Sequence, residues 1–338
     1  MFKKPYFIAE MSGNHNQSLE RALEIVDAAA ASGADALKIQ TYTPDTMTID
    51  VREKGFVIED KNSLWFGKSL YELYGEAMTP YEWHGPIFER CKEHGMDFLS
   101  TPFDSTAVDF LETFNPKLYK IASFENIDIP LIKKVASLKK PLIISTGMAT
   151  VSEIEDAVSA ARSVGCEDIT LLKCTSAYPA DASDANIATI PHLKNIFHTN
   201  VGLSDHTTGV GVAVAAIALG ATVVEKHFTL NRADGGVDSA FSLEPHEFKA
   251  LVEEGTKAYN SIGNINYGTS SDKEKSSLGF RRSMYIVKDV VKGEEITPEN
   301  VRCIRPGFGL APKYYDLVMG RTFKEDYKKG TPLSFDKM

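Results

Sequence analysis

The chain has 338 residues, of which 43% are hydrophobic and 25% charged, and its formal net charge at pH 7 is −9. This length is enough for one large domain or two, and the negative charge argues against general binding to nucleic acids or acidic membranes, which requires basic surfaces. The four cysteines have neither paired nor metal-type spacing, and no apolar stretch reaches membrane-spanning length. The composition therefore predicts a cytoplasmic protein with reduced thiols.

Short β-rich runs recur in chain order, and segments with the periodicity of helices lie between them. The runs are residues 6–12, 36–42, 97–103, 118–123, 141–147, 169–176, 201–207 and 222–229. In the first helical segment Ser18 is suited to cap the start and Gly33 to end it. Eight such units predict a (β/α)8 TIM barrel over residues 1–262. A doubly wound sheet is less favoured, because no Gly-rich dinucleotide loop follows the first strand.

Three segments depart from this pattern. Residues 43–96 are too long for an ordinary βα loop, so we expect an excursion over the barrel mouth. Residues 263–280 are polar and predict a linker, and residues 281–338 contain short β runs between turn sequences, which predict a small β-rich domain. A domain of that size buries little core, so we expect it to dock onto a barrel, either its own or a partner's.

In a barrel of this type the chemistry lies where the strands end and the βα loops begin. The polar residues at those positions are Glu10, Lys38, Gln40, Thr101, Asp104, Lys120, Ser123, Glu125, Ser145, Thr146, Ser176, Tyr178, Asp205, His206, Lys226 and His227. So many ionisable groups at one mouth are costly to bury unless a ligand or mutual pairing compensates them. The set as a whole therefore predicts an active site.

Two kinds of ligand are indicated at this mouth. His206 and His227 end consecutive strands, and a pair of neutral imidazoles suits a divalent transition metal with open positions for water and substrate. Lys38 and Lys120, close to glutamates, would stay charged and bind a phosphate or carboxylate rather than form an imine. Asp238 lies on a Gly-rich loop after the eighth strand, where a role at the mouth competes with a plain turn.

Seven motifs carry a resemblance to a known family. They are "IAEMSGNHNQS", "ALKIQTY", "YKIASFE", "ISTGM", "LLKCTSAYP", "GLSDHT" and "VEKHFTLNRADGGVDSAFSLEP". Together they resemble the nonulosonic acid synthases, the bacterial sialic acid synthase family, and residues 281–338 resemble that family's C-terminal antifreeze-like (SAF) domain. Within the family, "EMSGNHNQS", "TYTPDTMT" and "LWFGKSLYELYGEAMTPYEWH" are most similar to the pseudaminic acid synthases.

The resemblance implies a condensation of phosphoenolpyruvate (PEP) with an acylamino sugar in its open-chain aldehyde form. Formation of a C–C bond is followed by attack of water and loss of phosphate through C–O cleavage. The pseudaminate branch uses 2,4-diacetamido-2,4,6-trideoxy-L-altrose, and synthesis of N,N'-diacetyllegionaminate or N-acetylneuraminate is the alternative within the family. Two further alternatives are another PEP-dependent aldol-type barrel, which the C-terminal domain argues against, and a catalytically silent barrel that binds glycans.

The resemblance also implies a role for individual residues. By that resemblance Lys38 faces the PEP carboxylate, the phosphate is held by Lys120, Ser123, Ser145 and Ser176, and the catalytic carboxylates are Glu10, Glu125 and Asp238. Gln40 and Tyr178 orient the sugar, His206 and His227 hold Mn²⁺ or Mg²⁺, and Arg305 reaches the sugar's N-acyl group in the neighbouring subunit of a domain-swapped homodimer. Ser176 departs from the neuraminate synthases, which have Asn at that position.

Overall fold

The computed structural model describes residues 4–61 and 63–338, which form two compact units divided between Ile262 and Gly263. The first unit contains eight parallel strands in the order β3-β2-β1-β8-β7-β6-β5-β4. They are β1 (Tyr6–Glu10), β2 (Ala36–Thr41), β3 (Asp97–Pro102), β4 (Tyr119–Ile121), β5 (Leu142–Ser145), β6 (Ile169–Cys174), β7 (Asn200–Asp205) and β8 (Val223–His227). The two terminal strands of this order, β3 and β4, have Cα atoms within 8 Å of each other, which nearly closes the sheet and confirms the predicted barrel.

Helices alternate with these strands along the chain. In the first unit they are α1 (Leu19–Ala31), α2 (Pro44–Met47), α3 (Leu70–Ala77), α4 (His84–Glu93), α5 (Ser105–Glu112), α6 (Ile129–Ala136), α7 (Val151–Ser163), α8 (Thr189–Phe197), α9 (Gly211–Ala218) and α10 (Pro245–Ile262). As predicted, the Ser18 side chain caps α1 by accepting a hydrogen bond from the Arg21 N–H, and Gly33 follows the helix with a φ of +87°.

The interior of the barrel is apolar at one level and polar at the next. One buried cluster consists of Tyr6, Ile8, Ala36, Leu99, Leu118, Ile143, Leu172 and Val223. Because successive side chains of a strand point to opposite faces, the residue two positions further along a strand shares the face of the first. Ile8 is followed in this way by Glu10, and Leu118 by Lys120. The apolar layer therefore forms the floor beneath the polar mouth.

The segment between β2 and α4 folds back on itself and is anchored to the loop after β1. Backbone hydrogen bonds join Ile58 to Lys68 and Leu70 to Phe56, with N···O distances of 3.0 and 2.8 Å. The Gln17 side-chain amide donates to two carbonyls at the end of α3, those of Glu76 and Met78, at 2.9 Å each. The excursion, predicted over residues 43–96, is therefore shorter than expected: it spans residues 43–79, and α4 already packs against α1 and β3 of the barrel.

The second unit has its own core around a two-stranded antiparallel sheet, β9 (Ser283–Ile286) and β10 (Val301–Ile304). Its helices are α11 (Asp272–Ser276) and α12 (Tyr315–Val318), so the segment predicted as a linker contains one helical turn. The buried core residues are Met284, Ile286, Val290, Ile296, Val301, Val318, Phe323 and Leu333. Across residues 4–61 and 63–338, no helix combines the length and apolar character needed to cross a bilayer.

Candidate active site

The charged residues of the last strand, β8, lie on opposite faces of the barrel wall. In β8, Glu225 and His227 are two residues apart and face the interior, whereas Lys226 lies between them on the opposite face. The Lys226 ammonium donates to the Asp205 carboxylate at 2.8 Å and to the carbonyls of Thr207 and Gly209. Asp205 and Lys226 were expected at the mouth, and that prediction is wrong, because they pair with each other in the barrel wall.

A buried cluster of two lysines and two glutamates lies at the centre of the mouth. The Lys38 Nζ lies 3.1 Å from Glu10 Oε2 and 3.4 Å from Glu225 Oε1. The Lys120 Nζ lies 3.4 Å from the same oxygen of Glu225, which also accepts from the Ser204 hydroxyl at 3.2 Å. All four charged side chains are less than 5% exposed. The two charges of each sign balance, so a multiply charged anion would have to displace or share these contacts.

The pKa values in this cluster follow from burial and from the neighbouring charges. Burial alone would lower the pKa of Lys38, but Glu10 and Glu225 outweigh it and the pKa is raised. Burial lowers the pKa of Lys120, and Glu225 offsets this only in part. Burial raises the pKa of Glu10, whereas the two lysines outweigh burial at Glu225 and lower its pKa. Glu225 is therefore the counter-ion that both lysines share.

Two serine hydroxyls, those of Ser123 and Ser176, lie against Gly147 next to this cluster, and Ser145 precedes this glycine by two residues. The Ser123 hydroxyl oxygen accepts from the Gly147 N–H at 3.2 Å. A Cβ atom placed on Gly147 would lie 2.3 Å from Ser176 Oγ and 2.8 Å from Ser123 Oγ, so only glycine leaves this space open. The buried Ser145 hydroxyl has no hydrogen-bond partner among the described residues. Free hydroxyl donors and a backbone N–H of this kind suit the oxygens of a phosphate.

Two imidazoles converge beside the lysines, with ring centroids 5.3 Å apart. The Nδ1 of His206 lies 2.9 Å from the Thr175 carbonyl and must donate to it, so Nε2 is the nitrogen that can bind a metal when the ring is neutral. The Nδ1 of His227 is buried without a hydrogen-bond partner in the described part of the chain. Burial, together with the charges of His206 and the lysines, holds the pKa of His227 well below its usual value, which keeps this ring neutral.

This donor set fits a metal ion held by two protein ligands. Within residues 4–61 and 63–338 there is no group of three or more His, Cys, Asp or Glu side chains arranged to bind a metal. Burying the Nδ1 of a neutral His227 without a hydrogen bond nevertheless costs free energy unless a ligand binds this nitrogen. Further ligands would be water and substrate oxygens, which leaves the positions that Lewis-acid chemistry requires.

Cys174, at the end of β6, is a buried residue of the site that the sequence did not single out. Its sulfur lies 3.9 Å from His206 Nδ1 and 4.0 Å from Ser176 Oγ. Burial would raise the pKa of the thiol, but His206 outweighs this effect and lowers it to about 7. The thiol also explains the pKa of His206, which is raised because Cys174 and the Thr175 carbonyl outweigh burial.

The remaining carboxylates border the same space. The Gln40 amide donates to Glu10 Oε1 at 2.9 Å and to Ser12 Oγ at 3.1 Å, which fixes the orientation of the Glu10 carboxylate. Asp238 is buried, and its Oδ2 lies 3.7 Å from His227 Nδ1. Burial raises the pKa of Glu125 to about 7, so this side chain can both hold and release a proton near neutral pH.

An aromatic wall closes one side of the mouth. The Tyr178 ring centroid lies 4.4 Å from that of His206 and 5.3 Å from that of Phe241. On its far side, at 6.1 Å, lies Trp65 from the segment between β2 and α4. The structure therefore brings the predicted lysines, histidines, serines and Tyr178 to one mouth, whereas Asp205 and Lys226 lie in the barrel wall. Arg305 is exposed in the second unit, next to a cis peptide bond to Pro306.

Comparisons with known proteins assign the chain to a family. The model of the NeuB family matches residues 25–267, and that of the SAF domain matches residues 281–337. The chain belongs to the NeuB family. The chain is 43% identical over 336 residues to the pseudaminic acid synthase of Helicobacter pylori, covering 99% of this chain and 98% of that protein.

Other members of the NeuB family are more distant. The N,N'-diacetyllegionaminic acid synthase of Campylobacter jejuni is 35% identical over 329 residues, which cover 97% of this chain and 98% of that protein. The crystal structure of the N-acetylneuraminic acid synthetase of Leptospira borgpetersenii, solved with citrate, is 30% identical and superimposes with a TM-score of 0.71. That comparison covers 81% of this chain and 90% of the solved chain.

Besides Cys174, sequence reasoning missed Glu225 and Ser204, which the alternation of side chains along a β-strand could have found. Counting back two residues from His206 and His227 places Ser204 and Glu225 on the same interior face. Glu225 lies two residues before the end of β8, directly before Lys226 and His227, the residues predicted at that strand end.

Glu225→Gln is expected to move the pH dependence of PEP use. The substitution removes the negative charge that raises the pKa of Lys120, so that lysine will lose its proton at a lower pH. The alkaline limb of kcat/KM for PEP should therefore shift to lower pH, and a pH profile of initial rates measures it. An unchanged alkaline limb in Glu225→Gln would contradict the coupling between Glu225 and Lys120.

Proposed function

We propose that this chain is a pseudaminic acid synthase, which condenses PEP with 2,4-diacetamido-2,4,6-trideoxy-L-altrose and releases phosphate. The observation that carries the sugar assignment is the identity of 43–44% over 98–99% of the chain to three relatives named pseudaminic acid synthase. The two relatives named N,N'-diacetyllegionaminic acid synthase reach 35%. The free cysteines are in keeping with work in the cytoplasm.

PEP binds with its phosphate on Lys120 and the hydroxyls of Ser123, Ser145 and Ser176, and with its carboxylate towards Lys38. The buried lysine pair supports this orientation, since both ammonium groups lie 3.4 Å from one oxygen of Glu225 and can exchange part of that contact for the substrate. The Gly147 N–H donates to Ser123 Oγ and so fixes this hydroxyl on the phosphate side.

The reaction then requires three bond changes. C3 of PEP forms a bond to the aldehyde carbon of the sugar, and the aldehyde oxygen takes up a proton. Water adds to C2 and gives a proton to a carboxylate. Finally the bond between C2 and the bridging oxygen breaks, the phosphate leaves with that oxygen, and the new C2 hydroxyl gives up its proton to become a ketone. A metal held by His206 and His227, Mn²⁺ or Mg²⁺, would supply Lewis-acid polarisation of the aldehyde.

The three carboxylates of the mouth have different roles in these steps. Glu10, held by Gln40, lies where positive charge develops at C2 and stabilises it. Glu125, with a pKa of about 7, is suited to move the protons of water and of the leaving phosphate. Asp238 orients the His227 side of the site, and Tyr178 with Gln40 positions the sugar.

Oxygen labelling tests the reaction class. PEP labelled with ¹⁸O in the bridging C2–O–P position should give labelled phosphate when the sugar is present, because the C–O bond breaks. The fate of the label is measured by mass spectrometry of the released phosphate. A bridging label retained in the organic product would mean P–O cleavage, and the proposed synthase chemistry would be wrong. Incubation without sugar is the control and should release no phosphate.

Catalysis in the proposed enzyme is completed by a second subunit. The partner subunit's Arg305 contacts the N-acyl group of the sugar, in a domain-swapped homodimer. Arg305→Ala should therefore raise the KM for the sugar more than the KM for PEP, as measured by initial rates with each substrate varied. An unchanged KM for the sugar would remove Arg305 from the site.

A mixing experiment tests whether Arg305 acts between subunits. Arg305→Ala and His227→Ala chains are unfolded and refolded together in equal amounts. The assay uses a sugar concentration far below the raised KM of Arg305→Ala, so that each variant alone is nearly inactive. Half of the dimers are then hybrids with one intact site, so roughly a quarter of the wild-type activity should return. Recovery of no activity, with mixed dimers demonstrated by two affinity tags, would mean that Arg305 acts within its own chain.

A further inference from the structure

A cavity of about 490 Å³ lies beside the mouth, and no step of the proposed mechanism uses it. Its walls come from the loop after β1 (Gly13, Asn16 and Gln17), from the segment between β2 and α4 with α3 (Leu64, Trp65, Lys68 and Glu76), and from the loop after β8 (Gly236, Val237 and Ala240). Such a volume is within the range of small-molecule sites, which are roughly 300–1,000 Å³. The cavity therefore has room for a sugar.

This cavity adjoins the catalytic residues through its walls. Gly13 follows Ser12, whose hydroxyl accepts from Gln40, and Val237 precedes Asp238, whose carboxylate lies 3.7 Å from His227. In both loops a residue of the cavity wall is therefore the direct chain neighbour of a residue that contacts the catalytic groups.

The chemistry of the walls excludes a strong anion and suits an amphipathic molecule. Leu64, Trp65 and Val237 make one side apolar. On the other side Lys68 pairs with Glu76, so neither charge is left to attract a phosphate. The side-chain amides of the loop after β1 add neutral hydrogen-bonding groups. A diacetamido-trideoxy sugar, with methyl groups and amides but no charge, matches this surface, whereas PEP matches the lysines.

Trp65 contacts both the cavity wall and the aromatic residues beside the imidazoles. Its indole N–H donates to the Val237 carbonyl at 3.1 Å, and its ring lies 6.1 Å from that of Tyr178, which in turn packs against His206. The ring is half-buried, so part of its surface remains available to a ligand. One side chain therefore both holds the loop that carries Asp238 and presents an aromatic surface between the cavity and the imidazoles.

We propose that Trp65 is a specificity-determining residue, and that its ring packs against the C6 methyl end of the 6-deoxy sugar while the sugar's distal half occupies the cavity. This inference rests on the proposed function and adds to it a site for the part of the sugar that does not react. A hydroxyl at C6 would lose a hydrogen bond to water on entering an apolar wall, which gives the discrimination its physical cause.

Steady-state kinetics of Trp65→Ala and Trp65→Phe provide the first test. Trp65→Ala should raise the KM for the sugar at least about tenfold through lost apolar contact, with little change in the KM for PEP. It should also reduce the preference for the 6-deoxy sugar over its 6-hydroxy counterpart, and Trp65→Phe should retain most of that preference. The matched control is Trp83→Phe, because Trp83 packs against His15 outside the cavity walls.

Fluorescence gives a second readout that does not depend on turnover. The chain has two tryptophans, so Trp83→Phe leaves Trp65 as the only one. The alditol made by reducing the sugar lacks the aldehyde and cannot react. Added with PEP and Mn²⁺, it should change the emission of Trp83→Phe and leave that of Trp65→Phe unchanged.

The outcomes separate the inference from the proposed function. If the wild type turns over the sugar but Trp65→Ala keeps its sugar KM and its 6-deoxy preference, the inference is wrong and the proposed function stands. No fluorescence change in Trp83→Phe at alditol concentrations that inhibit turnover has the same meaning. If the wild type turns over no diacetamido sugar, the proposed function is wrong, and the inference is wrong with it.

Discussion

Lys120→Met should lower kcat/KM for PEP by about 1,000-fold while the protein remains folded. Loss of one partner of a buried ionic contact costs roughly 3–5 kcal/mol, and each 1.4 kcal/mol is a factor of ten. This free energy is lost from PEP binding rather than from folding. Burial already lowers the pKa of Lys120, so the charged lysine is disfavoured in the free enzyme. Initial rates with PEP varied, together with a thermal melt, measure both effects.

The matched control for this variant is Lys226→Met. Lys226 is equally buried and lies one residue from Glu225, but its ammonium pairs with Asp205 in the barrel wall. Its loss should lower the free energy of unfolding by roughly 3–5 kcal/mol, because the Asp205 carboxylate loses its partner. The KM for PEP should stay near the wild-type value. Equal losses of PEP use in both variants would show that any buried lysine matters and would contradict the assignment of Lys120 to PEP.

His227→Ala is expected to lower kcat by at least about 1,000-fold, because polarisation of a carbonyl by a bound metal is worth several kcal/mol. The variant should also lose affinity for Mn²⁺ in a titration followed by electron paramagnetic resonance. PEP binding measured with the metal removed by a chelator should stay close to that of the wild type, since the lysines and serines are intact.

The control for metal binding is His246→Ala. The His246 side chain is 75% exposed at the start of α10 and should leave both Mn²⁺ affinity and turnover unchanged. Full activity in His227→Ala, or unchanged Mn²⁺ affinity, would remove His227 from the metal site. Loss of turnover with normal Mn²⁺ binding would instead assign His227 a role in catalysis without the metal.

The barrel could be predicted from sequence because its strands are short, apolar and regularly spaced. The ends of the strands were less certain. The first predicted strand extended to residue 12, whereas β1 ends at Glu10 and a 3₁₀ turn, Ser12–His15, follows. Local polarity cannot locate such an end, because Met11 and Ser12 are as buried in the turn as they would be in a strand.

Sequence predicts those site residues whose positions follow from the alternation of side chains along a strand. Lys38, Lys120 and the two histidines follow from their positions at strand ends, and Glu225 follows from counting back by two. Other features depend on distances between separate parts of the chain. The close approach of Ser176 to Gly147 and the contact of Trp65 with Val237 join segments 29 and 172 residues apart in sequence. No pattern within either segment predicts these contacts.

The most direct test of the account is the release of phosphate from PEP by the purified protein with Mn²⁺ and one sugar at a time. The three sugars are 2,4-diacetamido-2,4,6-trideoxy-L-altrose, its manno-configured isomer and N-acetylmannosamine. We expect turnover with the altrose and little or none with the other two. Turnover with the manno isomer or N-acetylmannosamine alone would contradict the sugar assignment, and no phosphate with any of the three, with Mn²⁺ bound, would contradict the synthase itself.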